Sequence, residues 1–523
     1  MKRGSLFNVF PVRKPKGNLF NLSHERKMSF NMGSLVPMYL QDVVPGDRFK
    51  VRSEVLMRLA PMLAPVMHRV NVFVHFFFVP NRLVWNNWED FITGGADGTA
   101  NPVFPHYKIT NSNKVLFKAG TLADYLGIPD PSSFTVHTDG VPVSKLPFRA
   151  YQLIYNEYYR DPNLDAEVAI LKSDGHAAEG DILSIRSRCW EKDYFTSALP
   201  WSQRGGNVNL PVTGEINFVP TYKENSRVLA SSNGSAVTGD LAATGGNLIE
   251  PNGPINVRIE NLDSDNYDLT NVGITINDVR TSIKLQEWLE KNARGGGRYI
   301  EQILSHFGVK SSDARLQRPE YLGGGKSPVV ISEVLASAET GTSVDVGDMY
   351  GHGISVGNTN SFNKFFEEHG YIMGIISVLP RTAYQQGLER HWSKFDKFDY
   401  YFPEFANLGE QEVKYKEIYL DYSRPIESDP EDTFGYQSRY AEYKYKSDSV
   451  HGDFKTSLAY WHLGRIFSAP PRLNSSFVHL SDTDSGLHRI HTVTNPNIHK
   501  LYCQIYNNVK AIRPMPKYGI PIL

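Results

Sequence analysis

Val70–Pro80, with the sequence VNVFVHFFFVP, decides the fold class of this 523-residue chain. Successive side chains of a strand point to opposite faces, and in this stretch both faces carry large apolar groups. Only Asn71 and His75 interrupt the apolar run. The stretch would span roughly 35 Å when extended, and Pro80 would end it because proline has no amide donor. We therefore predict a long strand covered on both sides, as in a packed sandwich or at a subunit interface.

The rest of the chain predicts a mainly β fold decorated by helices. Residues 49–59 alternate between apolar and polar side chains, which is typical of a half-buried strand. Helical spacing of apolar side chains predicts one helix over 151–159 and a second helical region with a break at Gly295–Gly297. The second region covers 277–291 and 299–307, and further strands are predicted at 371–379, 412–422 and 501–513.

The composition also favours strands joined by turns and long loops. Tyr and Phe number 28 each, and there are 42 glycines and 31 prolines. Cys189 and Cys503 lack ligand-type spacing, so we predict neither a disulfide framework nor a zinc module, and we expect folding in a reducing cytoplasm. No apolar run approaches the roughly 18 residues of a membrane span, and the N-terminus lacks the apolar centre of a signal peptide. We therefore expect no membrane insertion.

The formal net charge of −1 conceals basic ends on an acidic body. Residues 1–30 and 485–523 together carry a charge of +11, and the residues between them carry −12. We interpret residues 1–30 as a basic N-terminal arm, because cations there are interleaved with Phe7, Phe10 and Phe20 without a periodic apolar pattern. Cations that follow phosphates and rings that stack on bases suit single-stranded nucleic acid, whereas the alternative is a solubilising tail.

Several short motifs, in the same order along the chain, resemble those of a known family. They are Asn21–His24, Pro45–Asp47, Arg69–Val74, Phe78–Arg82, Gly308–Arg315 and Pro319–Gly323. In these stretches the chain resembles the major capsid proteins of the Microviridae, which are small single-stranded DNA bacteriophages, and it is most similar to their gokushovirus-like branch. The similarity extends from about Asn21 to the strand near Cys503.

This resemblance implies an architecture. It implies an eight-stranded antiparallel jelly-roll β-sandwich with long loop and helical insertions, which covers residues 31–523 as one capsid domain. The segment 203–275 is rich in Gly, Ser, Asn and Thr and poor in aromatic residues, so it supplies little core. We interpret it as a surface insertion with minor strands near 215–219 and 255–259, and the family implies that it clusters as a threefold protrusion.

The resemblance also implies the function and the partners. The expected function is self-assembly into a T=1 icosahedral shell that encloses a circular single-stranded DNA genome, with a role of the exposed insertion in host attachment. The expected partners are copies of the chain, the DNA, a pilot or spike protein, small basic packaging proteins and a host surface receptor. The expected location is the virion capsid, assembled in the host cytoplasm. No enzymatic activity, cofactor or metal site is expected.

DNA contacts are predicted from the two basic ends of the chain. In capsid context, cations on the inner side of a shell would relieve the repulsion of a negatively charged genome. The candidates are Lys2, Arg3, Arg13, Lys14, Lys16, Arg26, Lys27, Lys510, Arg513 and Lys517.

Two other classes of protein stay open at this point. Gly353–Gly357 matches the G-x-S-x-G pattern of a serine hydrolase with Ser355 as the nucleophile, but no helical pattern follows it, so a glycine loop is favoured. Gly323–Ser327 ends like a phosphate-binding loop but lacks its first glycine, and we interpret it as a turn-rich loop. The Tyr and Trp content also suits a glycan-binding β-sandwich that serves as an attachment protein.

Four histidines near the C-terminus are close enough in sequence to suggest a metal site. They are His479, His488, His491 and His499. His488 and His491 are three residues apart, a spacing that places two ligands together only on a helix, whereas the following residues have the pattern of a strand or loop. We therefore predict exposed or interface histidines rather than metal ligands.

Overall fold

The structure of the chain is a computed structural model. It describes residues 17–176, 179, 181–206, 208, 217–218, 228–230, 242–244, 247–249, 257–259, 267–268, 275–296, 298–337, 346–423 and 433–518. The chain forms two compact units, one made of Met1–Ser202 with Asn292–Leu523 and the other of Gln203–Lys291.

Two antiparallel sheets build the larger unit within the described residues. Their strands in chain order are β1 (Asn18–Asn21), β2 (His24–Phe30), β3 (Val36–Val43), β4 (Arg48–Leu59), β5 (Val70–Pro80), β6 (Glu320–Pro328), β7 (Val330–Leu335), β8 (Met349–Phe365), β9 (Gly370–Pro380) and β10 (Leu501–Arg513). The larger sheet has the order β1-β10-β4-β8-β7, with β2 also paired to β10, and the smaller sheet has the order β6-β5-β9-β3.

The order of these strands is that of a jelly roll. Without β1 and β7, the strands of the larger sheet come first, eighth, third and sixth along the chain, and those of the smaller sheet second, seventh, fourth and fifth. Consecutive strands therefore alternate largely between the two sheets. The prediction of a mainly β antiparallel sandwich is confirmed.

β5 lies in the middle of the smaller sheet and is covered on both faces. Val74 and Phe76 pack with side chains of the larger sheet in the core between the sheets, where the rings of Phe76 and Phe362 are 5.2 Å apart. Phe77 and Val79 belong to a second core that includes the helix Leu146–Ile154. The predicted strand has the observed bounds, and its coverage on both sides is confirmed.

Shorter elements decorate the sandwich. The other helices are Trp88–Thr93, Leu122–Leu126, Ile276–Gly295, Tyr299–Phe307, Tyr415–Ile418, Ser475–Val478 and Ser485–His488, and a π-helical turn, Tyr155–Tyr159, extends Leu146–Ile154. The other paired strands of the larger unit are His106–Ile109 with Val141–Ser144, Glu410–Lys414 with Thr433–Ser438, and Ala383–Tyr384 with Asp448–Ser449. None of the described helices has the length and apolar character required to cross a membrane.

The smaller unit begins at Gln203, the first residue of the predicted insertion, and continues to Lys291. Its described strands are Asn217–Phe218 with Tyr267–Asp268, Val228–Ala230 with Val257–Ile259, and Ala242–Thr244 with Asn247–Ile249. Two of them fall within the predicted minor strands at 215–219 and 255–259.

Three local predictions are wrong. Gly323–Ser327 and Gly353–Gly357, which we expected in loops, lie inside β6 and β8. The strand predicted over 412–422 ends at Lys414, and the helix Tyr415–Ile418 follows it. The glycines misled the interpretation because they are rare in strands, yet here close packing between strands requires them.

Candidate nucleic-acid interface and shell contacts

The larger sheet turns one face to the core and the other to solvent. β4 and β10 produce this division by alternating buried apolar residues with exposed ones along their length. The exposed cations on the solvent side are Lys27, Arg48, Lys50, Arg52, Arg58 and Lys510, and we call this set the basic face. Glu25 and Glu54 are the acidic side chains among the described residues on the same side. The side is therefore strongly positive.

Strand register places like charges together on the basic face. Lys510 is directly opposite Lys50 in the pairing of β10 with β4. Like charges at opposed positions repel, so an anion lying across the two strands would stabilise this arrangement. Tyr502 and Tyr506 lie on the same side of β10 and are 47% and 38% exposed. Exposed rings among cations can stack on bases while the cations contact phosphates.

Both basic ends of the chain begin at one edge of this sheet. β1 pairs with the end of β10 so that Asn18 is opposite Arg513, and the Asn18 side-chain amide donates a 2.7 Å hydrogen bond to the Met515 carbonyl. The segment predicted as an arm over 1–30 thus includes two strands, β1 and β2, of the larger sheet. Of the predicted DNA contacts, Lys2, Arg3, Arg13, Lys14 and Lys16 lie outside the described residues.

The described candidates differ in how free their charges are. Lys27, Lys510 and Lys517 are exposed. Arg513 is held inside the subunit, where its Nη2 is 2.8 Å from Oδ2 of the buried Asp47. Its guanidinium is therefore less available to a phosphate than the lysines are.

Arg26 and Lys27 line a broad groove beside the basic face. The groove has a volume of about 1190 Å³ and is also bordered by Arg58, Lys118 and Tyr502. The Arg26 guanidinium donates a 2.8 Å hydrogen bond to the Tyr125 carbonyl at its wall. The groove thus brings two predicted residues together with a cation and a ring of the basic face.

The basic face on β4 was not predicted from the sequence. In the sequence pattern, Lys50, Arg52 and Arg58 were only the polar positions that alternate with apolar ones in a half-buried strand. Their common positive charge is the signal that could have revealed the basic face, since the solvent-exposed face of a strand usually carries charges of both signs. The register with β10, about 450 residues later in the chain, is what adds Lys510 to the set.

Large aromatic side chains are exposed along residues 392–408, which we call the aromatic segment. Its exposed members are Trp392, Phe395, Phe398, Tyr400, Tyr401, Phe402 and Leu408. The buried Tyr440 anchors the segment, because its hydroxyl donates a 3.0 Å hydrogen bond to the Tyr400 carbonyl and its ring lies 5.3 Å from that of Tyr401. Exposed large apolar side chains at this density are unusual on a soluble monomer, so the segment has the character of a protein–protein contact.

Ser355 has no catalytic surroundings. It lies within β8, is 2% exposed, and donates a 2.8 Å hydrogen bond to the Pro328 carbonyl. A nucleophile elbow needs a sharp strand-to-helix turn that exposes the serine, and β8 continues on both sides of Ser355. The hydrolase alternative is therefore wrong.

The predicted exposure of the C-terminal histidines is wrong for two of them. His488 and His491 are buried within the subunit, at 2% and 1% exposure. His479 is partly buried, and its Nε2 lies 2.7 Å from Asp165 Oδ2. Burial opposes a charge on His479, but the hydrogen bond to Asp165 and the nearby Cys189 sulfur outweigh it and raise the pKa of His479 to about 10.

Taken together, a jelly-roll sandwich with a basic face and an exposed aromatic segment has the construction of a viral capsid subunit. Comparison with known families identifies the particular family of capsid proteins. The model of the family described as "Capsid protein (F protein)" matches residues 10–523, and the chain belongs to this family.

Individual relatives are similar over their whole length. "Capsid protein VP1" of Chlamydia phage 1 is 34% identical, over 98% of this chain and 97% of the relative. The proteins of the same name from Bdellovibrio phage phiMH2K and Spiroplasma virus 4 are 33% and 31% identical, over 100% and 98% of this chain and 99% and 97% of theirs. The resemblance to Microviridae is confirmed. The chain is a major capsid protein that forms the virion capsid with further copies of itself, and it is not an enzyme.

Proposed function

We propose that identical copies of this chain close into a T=1 icosahedral shell that encloses a circular single-stranded DNA genome. The basic face is the observation that carries this proposal, because a capsid subunit has one obvious use for a cationic surface with exposed rings. In a closed shell, each subunit contacts its neighbours through different surfaces, which are called heterologous contacts. Such contacts give a closed assembly when the rotation from one subunit to the next returns to the first subunit.

The DNA contacts combine the basic face with the two chain ends. The proposed residues at the ends are Lys2, Arg3, Arg13, Lys14, Lys16, Arg26, Lys27, Lys510 and Lys517, with Arg513 positioning the edge of the sheet. Both ends begin beside β10, so their cations add to those of the basic face. Each neutralised phosphate releases counterions, which makes binding strong at low salt and sensitive to added salt. Tyr502 and Tyr506 stack on bases without requiring a particular sequence.

Other virion and host components complete the proposed function. The segment 203–275 forms a protrusion around the threefold axes on the outside of the shell and binds a host surface receptor. A pilot or spike protein and small basic packaging proteins join the shell, which assembles in the host cytoplasm. The attachment role would be excluded if labelled particles lacking residues 203–275 adsorbed to host cells as well as complete particles.

Electron microscopy of the purified chain tests the shell directly. We expect closed particles of a single size, and we expect circular single-stranded DNA to lower the protein concentration at which they appear, because the DNA neutralises the basic face. The particles should protect the DNA from nuclease. A chain that stays a monomer or small oligomer at every salt and DNA concentration would contradict the proposal.

Removal of two facing lysines should weaken DNA binding and its dependence on salt. For Lys50→Ala combined with Lys510→Ala, we expect the slope of log K against log salt to fall by about 1.4, at about 0.7 for each lost phosphate contact on a single strand. Fluorescence anisotropy with a labelled oligonucleotide at several salt concentrations measures the slope.

The control for this variant removes the same charge elsewhere. Lys108 and Lys455 are also exposed and lie outside the larger sheet, so Lys108→Ala with Lys455→Ala should leave the slope nearly unchanged. Equal losses in the two double variants would mean that net charge, rather than the basic face, governs binding.

A further inference from the structure

Three side chains with different donor atoms, none of which belongs to the basic face, lie close together. Asp165, Cys189 and His479 place a carboxylate oxygen, a sulfur and an imidazole nitrogen within 4.8 Å of one another. They come from three separate parts of the chain, each of which is held by main-chain hydrogen bonds. Cys189 and His479 were not predicted as metal ligands, because neither has a second ligand at a conventional spacing in the sequence.

The backbone positions Cys189 and His479 opposite each other. The two residues form an isolated antiparallel bridge, in which the amide of Trp190 donates to the Val478 carbonyl and the amide of Leu480 donates to the Arg188 carbonyl, each at 2.9 Å. This short ladder fixes the sulfur and the imidazole relative to each other before any ligand binds.

A tight turn supplies the third donor. The amide of Asp165 donates a 2.9 Å hydrogen bond to the Asp161 carbonyl, and the amide of Asp161 donates a 3.2 Å bond back to Asp165 Oδ2. The side chain of Asp165 is only 6% exposed, and although the carboxylate also interacts with the Ser475 hydroxyl, no hydrogen bond of normal geometry reaches its Oδ1 among the described residues. A buried carboxylate oxygen without a partner is costly, and a bound cation would satisfy it.

The imidazole of His479 is oriented as in a metal ligand. Its Nδ1 lies 3.0 Å from the Ser187 carbonyl and can only donate there, which leaves Nε2 for a ligand. Metal-binding histidines typically donate their second ring N–H to such a carbonyl, which fixes the ring and its tautomer. Nε2 lies 2.7 Å from Asp165 Oδ2, and the Cys189 sulfur lies 3.8 Å from both ring nitrogens, so the sulfur has to shift toward the Nε2 side when an ion binds.

We propose that Asp165, Cys189 and His479 bind a zinc ion. Thiolate, imidazole and carboxylate together are ligands of zinc rather than of magnesium or calcium, which prefer oxygen alone. Tetrahedral coordination at usual bond lengths separates sulfur from nitrogen by about 3.5 Å and nitrogen from oxygen by about 3.4 Å. Binding therefore requires the Asp165 carboxylate to move away from Nε2 by about 0.7 Å. A fourth ligand completes the coordination, and a water molecule can fill that position.

The site has a route to solvent and a structural consequence. Cys189 lines a cavity of about 840 Å³ that also borders Tyr159, Asp161 and Lys192, so an ion can enter. Binding of the ion releases the protons of the Cys189 thiol and of His479 Nε2 to solvent, so that the thiolate and the imidazole nitrogen become ligands. The ion then fastens the turn at 161–165 to the two segments of the bridge, which is the role that a disulfide performs in other proteins.

Cobalt substitution tests the sulfur ligand in the intact chain. After removal of metal with a strong chelator, we expect one equivalent of cobalt(II) per chain to produce the absorption bands of a tetrahedral thiolate complex, and zinc to abolish them. Cys189→Ser should remove the thiolate-to-metal band. Cys503→Ser is the matched control, because it removes the other cysteine, which is buried within β10, and should retain the band.

Zinc competition provides a second measurement, which counts the sites in the unaltered chain and tests the other two ligands. Titration of metal-free chain against a chromophoric chelator should give one site per chain, with binding weakened at least tenfold in Asp165→Asn and in His479→Gln. The zinc-loaded chain should also melt at a higher temperature than the metal-free chain. The proposal is overturned if the unaltered chain takes up less than a tenth of an equivalent, or if the cobalt spectrum lacks a thiolate band or persists in Cys189→Ser.

Discussion

A chain carrying Phe395→Glu is expected to fold normally and to form closed particles only at a much higher protein concentration than the unaltered chain. Phe395 is 88% exposed in the subunit, so the substitution removes no packing from the fold. In a shell contact, burial of a phenylalanine contributes about 1.5–3 kcal/mol, and a carboxylate buried there without a partner costs more than that contribution. Because each 1.4 kcal/mol is tenfold in an equilibrium constant, the concentration needed for assembly should rise more than tenfold. Sedimentation velocity and electron microscopy measure this rise.

The fold of the variant and its specificity need separate controls. Circular dichroism and the thermal midpoint of Phe395→Glu should match those of the unaltered chain, since surface substitutions usually change stability by about 0.5 kcal/mol or less. Tyr422→Glu is the matched substitution, because Tyr422 is also 88% exposed but lies outside the aromatic segment. If Phe395→Glu assembled as readily as Tyr422→Glu, the aromatic segment would not be a shell contact.

The sequence was most informative where local pattern and burial agree. β5 and β10 have the predicted bounds, because apolar side chains repeat with the period of a strand and both strands lie in the middle of a sheet. β4 and β9 differ from prediction by one residue at their ends, where strand pairing rather than residue type decides the limit.

Glycine-rich strands were not predictable, because the reason for their glycines lies in another strand. A Cβ atom on Gly324 would lie 2.2 Å from the Val74 carbonyl oxygen, and one on Gly357 would lie 2.7 Å from the Ser327 side-chain oxygen. These contacts come from segments far away in sequence. The local sequence pattern therefore predicted loops for stretches of β6 and β8 that pack too closely against other segments to accommodate a side chain.

The candidate sites were also limited by long-range register. The basic ends were visible as charge runs, but the basic face exists only because β10 lies beside β4 and places Lys510 opposite Lys50. Asp165, Cys189 and His479 likewise have no common sequence spacing. The aromatic segment was visible only as a high Tyr and Phe content, and nothing local distinguishes an exposed ring from a buried one.

A buried ion cluster that the sequence did not reveal supports the second core. Glu179 contacts both Lys145 and Arg149, and the side chains of all three are fully buried. Arg149 lies in the helix Leu146–Ile154. Its guanidinium also donates hydrogen bonds to the carbonyls of Val84 at 3.1 Å and Ser173 at 2.9 Å. Burial lowers the pKa of Lys145, and the charge of Glu179 opposes this effect. The cluster therefore holds the helix, the turn after β5 and the loop near Glu179 together.

Glu179→Ala is expected to destabilise the subunit by about 3–5 kcal/mol, because it removes the buried carboxylate that two buried cations contact. Urea unfolding followed by tryptophan fluorescence measures the loss. Asp448→Ala is the control, since the Asp448–Arg381 pair at 2.8 Å is about half exposed on both sides, and its removal should cost about 0–1 kcal/mol. Similar losses in the two variants would mean that the buried cluster is solvated and contributes no more than a surface ion pair.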